Sequence, residues 1–113
     1  MGCLFCDILE KKIPADIVYE DEHALAFRDV RPVAPTHVLV IPRTHIAAVH
    51  DLEPAHVTAM GQLMLAARRV ADQLGLEEAG YRLVVNDGEH AGQTVHHIHV
   101  HLLGGRPLSW PPG

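Results

Sequence analysis

The chain of 113 residues has the length of one ordinary domain, and its nine Lys and Arg against 14 Asp and Glu leave a net charge of −5. Because no basic run could follow a phosphate backbone, the composition argues against a nucleic-acid polymer as partner. No apolar stretch approaches the roughly 20 residues that span a bilayer, and no basic lead precedes the first apolar residues. We therefore expect one cytoplasmic domain over residues 1–113 that does not enter a membrane.

Two helices are predicted from apolar side chains that recur at three- and four-residue steps. The first is short, begins near Leu4 and ends before Ile13-Pro14. The second runs over residues 54–74 and is followed by Gly75, a typical C-terminal cap. Its predicted apolar face consists of Val57, Met60, Met64, Ala67, Val70, Ala71 and Leu74.

Five β-like runs account for most of the remaining chain. They cover residues 17–20, 24–28, 37–41, 81–86 and 95–103. Short strands with one covering helix predict an α+β fold rather than a parallel βαβ repeat. We expect an antiparallel sheet of about five strands with one long helix and a short N-terminal helix.

The last predicted strand carries an unusual group of histidines, in a chain that has ten of them. Successive side chains in a strand point to opposite faces, so His97, His99 and His101 are expected to share one face and the apolar residues between them the other. Three adjacent imidazoles repel one another when charged, which argues against a purely structural role. Nucleophilic or acid–base chemistry and a catalytic zinc site both fit this pattern. His96 is expected to point to the opposite side and to be exposed.

The segment His-Ile-His-Val-His-Leu-Leu over residues 97–103 resembles the signature of the histidine triad (HIT) family. The similarity extends to FCDILEKKIPADIVYEDEHALAFRDV, APTHVLVIPRTHI, VVNDGEHAGQTVHHIHVHLLGGR and the terminal WPPG, which resemble the histidine triad nucleotide-binding branch. The resemblance implies one HIT domain and a homodimer whose sheet continues across a two-fold axis. It also implies a purine nucleoside monophosphate ligand and hydrolysis of phosphoramidate or mixed-anhydride bonds at the α-phosphorus.

The resemblance further assigns roles to five residues around the phosphate. His99 is the nucleophile that forms a nucleotidyl-histidine intermediate, a role suited to a neutral imidazole. His97 orients that ring, mainly through its main-chain carbonyl, and His101 contacts the phosphate and assists the leaving group. Gln93 and Thr94 donate hydrogen bonds to phosphate oxygens. Most members of this branch have Ser in place of Thr94, a change that keeps the hydroxyl.

The rest of the nucleotide pocket is also implied by the resemblance. Asp29 accepts hydrogen bonds from the ribose hydroxyls, Asn86 lies near the ribose and phosphate, and Trp110 in the tail reaches toward the neighbouring protomer's site. The apolar slot for the base consists of Phe5, Ile8, Ile13, Phe27 and Val30. Without the family, Asp29 reads as a turn residue, Asn86 as a strand-end cap and the apolar residues as ordinary core.

Cys3 and Cys6 form a CxxC pair in a chain without secretory features, which favours metal binding or free thiols over a disulfide. By resemblance to bacterial relatives, the pair forms half of a structural zinc site completed by His45 and His97, with His37 as an alternative ligand. The simpler interpretation is that Cys3 and Cys6 are two small, semi-buried residues of the first helix that bind no metal. We expect no cofactor for catalysis, and a structural zinc whose loss affects stability more than turnover.

Three other functions compete with nucleoside phosphoramidate or acyl-nucleotide hydrolysis. One is a nucleotide-binding regulatory protein with incidental hydrolysis, and another is a zinc hydrolase that uses the three histidines as ligands. The third is a dinucleoside polyphosphate hydrolase. The ending GGRPLSWPPG resembles the phosphoramidate-hydrolysing branch of the family more closely than that group. The identity of the leaving group and the choice between adenine and guanine stay open at this point.

Overall fold

The computed structural model describes residues 2–113 as two helices on a five-stranded sheet with strand order β1-β2-β3-β5-β4. All paired strands are antiparallel, so the predicted α+β class is confirmed. The helices are α1 (Leu4–Leu9) and α2 (Val57–Gln73), and the strands are β1 (Ile17–Glu20), β2 (Ala24–Arg28), β3 (Thr36–Pro42), β4 (Arg82–Val84) and β5 (Val100–Gly104). Short 3-10 turns lie at Val49–Asp51, Pro54–His56 and Glu89–Ala91.

The long helix differs from its prediction at both ends and in its buried face. A 3-10 turn precedes it, and it ends in a Schellman motif in which Gly75, at φ +74°, donates to the Asp72 carbonyl. Met64 and Val57, predicted as core, are 51% and 71% exposed. The predicted Ala67, Val70 and Ala71 are buried, and so are Leu63 and Ala66, which the predicted face does not include. The helix therefore keeps apolar side chains on the surface that faces away from the sheet.

The sheet has two unlike faces. On one, α2 packs against Ala24, Ala26, Val38, Val40, Val100 and Leu102. On the other, Phe5 and Ile8 of α1 pack against Leu25, Phe27, Leu39 and Ile41. Among residues 2–113, no helix is long and apolar enough to cross a membrane.

The strand predicted over residues 95–103 begins later than expected, at Val100, which pairs with Val40 of β3. His97 and His99 lie in the irregular segment before it, where the Ile98 N–H donates to the Ile46 carbonyl at 2.7 Å. The alternating pattern resembles a strand in sequence, but the histidines make local contacts that replace strand pairing.

Candidate active site

The three histidines lie on the face of the sheet that α1 covers. His101 in β5 pairs with Leu39 of the apolar cluster on that face, and its ring centroid is 4.9 Å from that of His99. Phe5 of α1 meets His97 and His99 edge-on, at centroid distances of 5.9 and 5.1 Å. The rings therefore share one side although only His101 belongs to the strand.

One contact fixes the protonation state of His99. Its Nδ1 lies 2.7 Å from the main-chain oxygen of His97, and a carbonyl oxygen can only accept, so Nδ1 carries the proton. The lone pair is therefore on Nε2. The ring is 6% exposed, and burial is the main cause that lowers its pKa below the ordinary value. His99 is thus a neutral base with a defined nucleophilic atom at physiological pH.

His101 has its tautomer set by a second pair of contacts. The Val33 N–H donates to His37 Nδ1 at 3.1 Å, which leaves the His37 proton on Nε2. That Nε2 lies 3.0 Å from His101 Nδ1 and donates to it, so the His101 proton is on Nε2. Burial, followed by the nearby His99 and His37 rings, lowers the pKa of His101 to about 4. The ring is neutral and offers one N–H donor.

Asp29 is a turn residue that also lies beside the imidazoles. Its Oδ1 accepts the N–H of Arg31 at 2.7 Å, as in an Asx turn. Its Oδ2 lies 3.4 Å from His37 Nε2, so one carboxylate oxygen remains close to the imidazoles. Charge from Asp29 partly opposes the lowering of the pKa of His101.

The loop before the histidines contains Gln93 and Thr94, which behave differently. The Gln93 amide donates to the Ala47 and Val95 carbonyls at 2.8 and 3.1 Å, and its oxygen accepts the Gly88 N–H. These bonds use both amide hydrogens, so the side chain braces the loop and is not free to donate to a phosphate. Thr94 is exposed and borders an open cavity of about 500 Å³, also lined by Gly2, Cys3, Leu4, His45, Val95 and His96.

The remaining pocket residues divide into buried and exposed groups. Phe5, Ile8 and Phe27 are buried in the core under α1 and Ile13 packs against them, so they form a closed cluster with edges toward the imidazoles. Val30 is 93% exposed and Trp110 is 79% exposed, with the Arg82 guanidinium 5.8 Å from the Trp110 ring centroid. Asn86 is half-buried in the loop after β4, and His96 is exposed as expected.

A second cluster, which we call the thiol cluster, consists of Cys3, Cys6, His45 and His97. Their candidate ligand atoms all lie within 4.8 Å of one another. Cys6 Sγ is 3.3 Å from His45 Nδ1, Cys3 Sγ is 3.5 Å from His97 Nδ1, and the two Nδ1 atoms are 3.1 Å apart. Tetrahedral zinc with Zn–S near 2.3 Å and Zn–N near 2.0–2.1 Å requires S···N separations of about 3.5 Å. The cluster therefore fits zinc.

The orientation of His97 supports the same interpretation. Its Nε2 donates to the Pro42 carbonyl at 2.9 Å, which leaves the Nδ1 lone pair directed at the thiols, the usual arrangement of a metal-bound histidine. Burial and the adjacent Cys3 raise the pKa of the Cys6 thiol to about 11, so an ion must displace its proton to bind. His37, the alternative ligand, lies instead with Asp29 and His101.

Within residues 2–113, no candidate ligand cluster contains all three triad histidines. His97 directs its Nδ1 into the thiol cluster, while His99 donates its Nδ1 proton to a carbonyl. This arrangement does not support a zinc hydrolase that uses the three rings as ligands.

Comparison with known proteins identifies the family. A family model described as HIT domain matches residues 10–108. The chain belongs to the HIT family. It is 50% identical over 105 residues to the purine nucleoside phosphoramidase of Escherichia coli, covering 93% of this chain and 88% of that protein. It is 51% identical over 112 residues to the 14 kDa zinc-binding protein of Zea mays, covering 97% and 87%.

The structural comparison agrees with the family assignment. A HIT family hydrolase from Legionella pneumophila has a TM-score of 0.97 to this chain at 50% identity, covering 99% of this chain and 100% of that one. The resemblance predicted from residues 97–103 is thereby confirmed, and so is the fold. The sequence left two alternatives for His37, a zinc ligand or, by resemblance, a position close to the active site, and the structure places it beside His101. A signal was present, since His37, Leu39 and Ile41 alternate onto the face that carries the triad.

The lowered pKa of His101 predicts an acid-sensitive contribution to stability. Because the folded pKa is about 4 against 6.5 for the free side chain, the unfolded chain binds a proton first as the pH falls. The contribution is complete above pH 6.5 and is lost between about pH 6.5 and 4.

The measurement is the free energy of unfolding in urea at several pH values, for the wild type and His101→Gln at one protein concentration. The wild-type value minus the variant value should shrink as the pH falls, since effects common to both proteins cancel. A difference that is independent of pH would contradict the assignment.

Proposed function

We propose that this protein hydrolyses purine nucleoside phosphoramidates and related acyl nucleotides through a covalent intermediate on His99. The observation that carries the proposal is the hydrogen bond from His99 Nδ1 to the His97 carbonyl, at 2.7 Å. It leaves Nε2 as a neutral nucleophile that needs no base to activate it. Identity of 50% to a purine nucleoside phosphoramidase supports the same substrate class.

The reaction then proceeds in two displacements. His99 Nε2 attacks the α-phosphorus, the bond from phosphorus to the leaving nitrogen or oxygen breaks, and a nucleotidyl group remains on the ring. Water next attacks the same phosphorus, which releases the nucleoside monophosphate and returns the lone pair to Nε2. The exposed Thr94 hydroxyl is proposed to donate to a phosphate oxygen, whereas the Gln93 amide holds this loop in place.

His101 is proposed to assist the leaving group, and its environment supports a substrate-dependent role. In the free site its pKa of about 4 keeps the ring neutral. An anionic phosphate placed against Nε2–H favours the charged imidazole and raises that pKa. Substrate binding therefore increases the fraction of His101 that carries a proton on both ring nitrogens, and this charged form can transfer a proton to the leaving group.

Zinc is proposed at the thiol cluster, held by Cys3, Cys6, His45 and His97. The N and S donor set and the separations of 3.1–3.6 Å support a tetrahedral ion. Bound there, zinc supplies a crosslink between chain segments and does not act on substrate. The name of the Zea mays relative agrees with zinc at such a site.

A homodimer is proposed from two surfaces that the protomer leaves uncovered. Strand β4 is an outer strand of the sheet, and one of its sides has unpaired main-chain groups that another copy can pair with. The outer surface of α2 exposes Val57, Met64 and Leu65. Gly61 lies between them, and a Cβ there would have no neighbour within 4 Å. These features support helix against helix and strand against strand across a two-fold axis.

The first test concerns the nucleophile. His99→Ala should lower kcat for adenosine 5′-phosphoramidate by at least about a thousandfold, with AMP binding largely intact because Asp29, Thr94 and the apolar residues remain. His101→Ala should lose less. The exposed His96→Ala is the matched control and should retain wild-type turnover. Quenching without acid should trap a nucleotidyl adduct on the peptide that contains His99, and an adduct on another residue would refute the mechanism.

The second test concerns ribose selection by Asp29. Asp29→Asn retains the oxygen that accepts the Arg31 N–H but removes the charge. Loss of a charge-assisted hydrogen bond should weaken AMP binding by about ten- to a hundredfold. Binding of 2′,3′-dideoxy-AMP should change little. Calorimetry measures both, and equal effects on the two ligands would reduce Asp29 to a turn residue.

The third test concerns the dimer. Met64→Glu places a charge on the exposed apolar surface of α2, where burial of an unpaired carboxylate is strongly unfavourable. Light scattering at micromolar concentration should give a dimer for the wild type and a monomer for the variant. Val33→Glu alters an exposed apolar residue outside α2 and β4 and should remain dimeric. A monomeric wild type would refute this part of the proposal.

A further inference from the structure

His97 belongs to the thiol cluster and to the active site at the same time. Its ring Nδ1 lies 3.5 Å from Cys3 Sγ and 3.6 Å from Cys6 Sγ. Its main-chain oxygen accepts the Nδ1 proton of His99 at 2.7 Å. The zinc ligand set and the nucleophile are therefore separated only by the atoms of one residue. A displacement of the His97 backbone therefore moves the ligand atom and the carbonyl that orients His99 together.

The His97 peptide lies outside the sheet ladder. Pairing of β5 with β3 begins at Val100 opposite Val40, and the main-chain hydrogen bond holding the preceding segment is that from Ile98 N–H to the Ile46 carbonyl. The His97 ring adds the bond from Nε2 to the Pro42 carbonyl. Its position therefore depends on side-chain anchors more than on strand pairing.

A metal ion in the thiol cluster supplies the missing anchor. The hydrogen bond from Ile98 to Ile46 already joins two chain segments. Because His45 and His97 are the residues just before these two, an ion bound by both would join the same segments a second time. Cys3 and Cys6 tie the same point to α1, whose Phe5 ring meets His99 edge-on. An ion held there would link three chain segments and limit how far the His97 ring, and with it the His97 backbone, can shift.

We infer that zinc in the thiol cluster positions the nucleophile, with His97 as the positioning residue that joins the metal to the His99 ring. The inference rests on the proposed hydrolysis only where turnover is measured, because the His99 tautomer can be followed without a substrate. Zinc remains structural in that it does not touch substrate, but its loss lowers kcat and leaves nucleotide affinity nearly unchanged. This differs from the sequence-based expectation that zinc loss affects stability more than turnover.

The test compares wild type, Cys6→Ser and Leu9→Ala at matched temperature. Cys6→Ser removes one thiolate, whereas Leu9→Ala weakens the packing of the same helix and keeps all four ligands. Metal analysis should find one zinc per chain in the wild type and in Leu9→Ala, and little in Cys6→Ser. A misplacement of about 1 Å in a catalytic group can cost about a hundredfold, so kcat of Cys6→Ser should fall about ten- to a hundredfold. KM and the AMP dissociation constant should stay within about twofold.

A second readout follows the His99 ring directly. Imidazole nitrogen NMR should give a single His99 tautomer protonated at Nδ1 in the zinc-loaded wild type. It should give a mixture of tautomers in Cys6→Ser and in chelated wild type. Adding zinc should restore the single tautomer and the kcat of chelated wild type. Cys6→Asp keeps a ligand for zinc. Relative to Cys6→Ser, it should therefore recover much of the single His99 tautomer and much of the kcat.

Two results would overturn the inference. One is a zinc-free Cys6→Ser protein that keeps wild-type kcat and the single His99 tautomer. The other is a zinc-loaded Leu9→Ala protein that loses as much kcat as Cys6→Ser. If the wild type hydrolyses none of the phosphoramidates, the proposed function fails, whereas the response of the His99 tautomer to zinc still decides this inference.

Discussion

The acceptor-only character of a main-chain carbonyl is the constraint on which the chemistry of this site depends. Each carbonyl facing an imidazole nitrogen assigns the proton to that nitrogen and leaves the lone pair on the other. The His97 carbonyl does this for His99, and the Pro42 carbonyl does it for His97. The Val33 N–H is a donor, so it leaves the His37 proton on Nε2, and this proton is donated to His101 Nδ1. The His101 proton is therefore on its own Nε2. Four histidines thus have fixed roles without a carboxylate bonded to the nucleophile.

Burial adds the second requirement, which is neutrality. All three triad rings have pKa values below that of the free side chain, mainly because charged imidazole is poorly solvated inside the protein. Neutral rings can lie 4.9 Å apart without repulsion. The structure thus shows how three adjacent imidazoles avoid the electrostatic cost that the sequence pattern implies.

The sequence predicted the parts of this molecule that depend on side-chain pattern. Periodicity gave the two helices and five strands, and residues 97–103 identified the family. Contacts with main-chain atoms could not be predicted in this way, because the carbonyls of Pro42 and Ile46 have no signature in the sequence. For that reason the start of β5 was placed too early, and the hydrogen bond from His37 to His101 was not predicted. The misassigned Met64 has another cause: α2 carries apolar side chains on its exposed surface as well as on its buried one, so helical spacing alone does not separate the two.

The layer between α2 and the sheet limits which amino-acid substitutions this fold can accept. Ala24, Ala26, Ala66, Ala67 and Ala71 are all fully buried there, so the helix lies close to the strands with the smallest side chains between them. At these alanine positions there is no long side chain whose rotamer could change to accommodate an added methylene. Substitutions are tolerated more readily on exposed loops and on the polar outer surface. Sequence change in this fold is therefore directed away from the helix–sheet layer, which lies on the side of the sheet opposite the imidazoles.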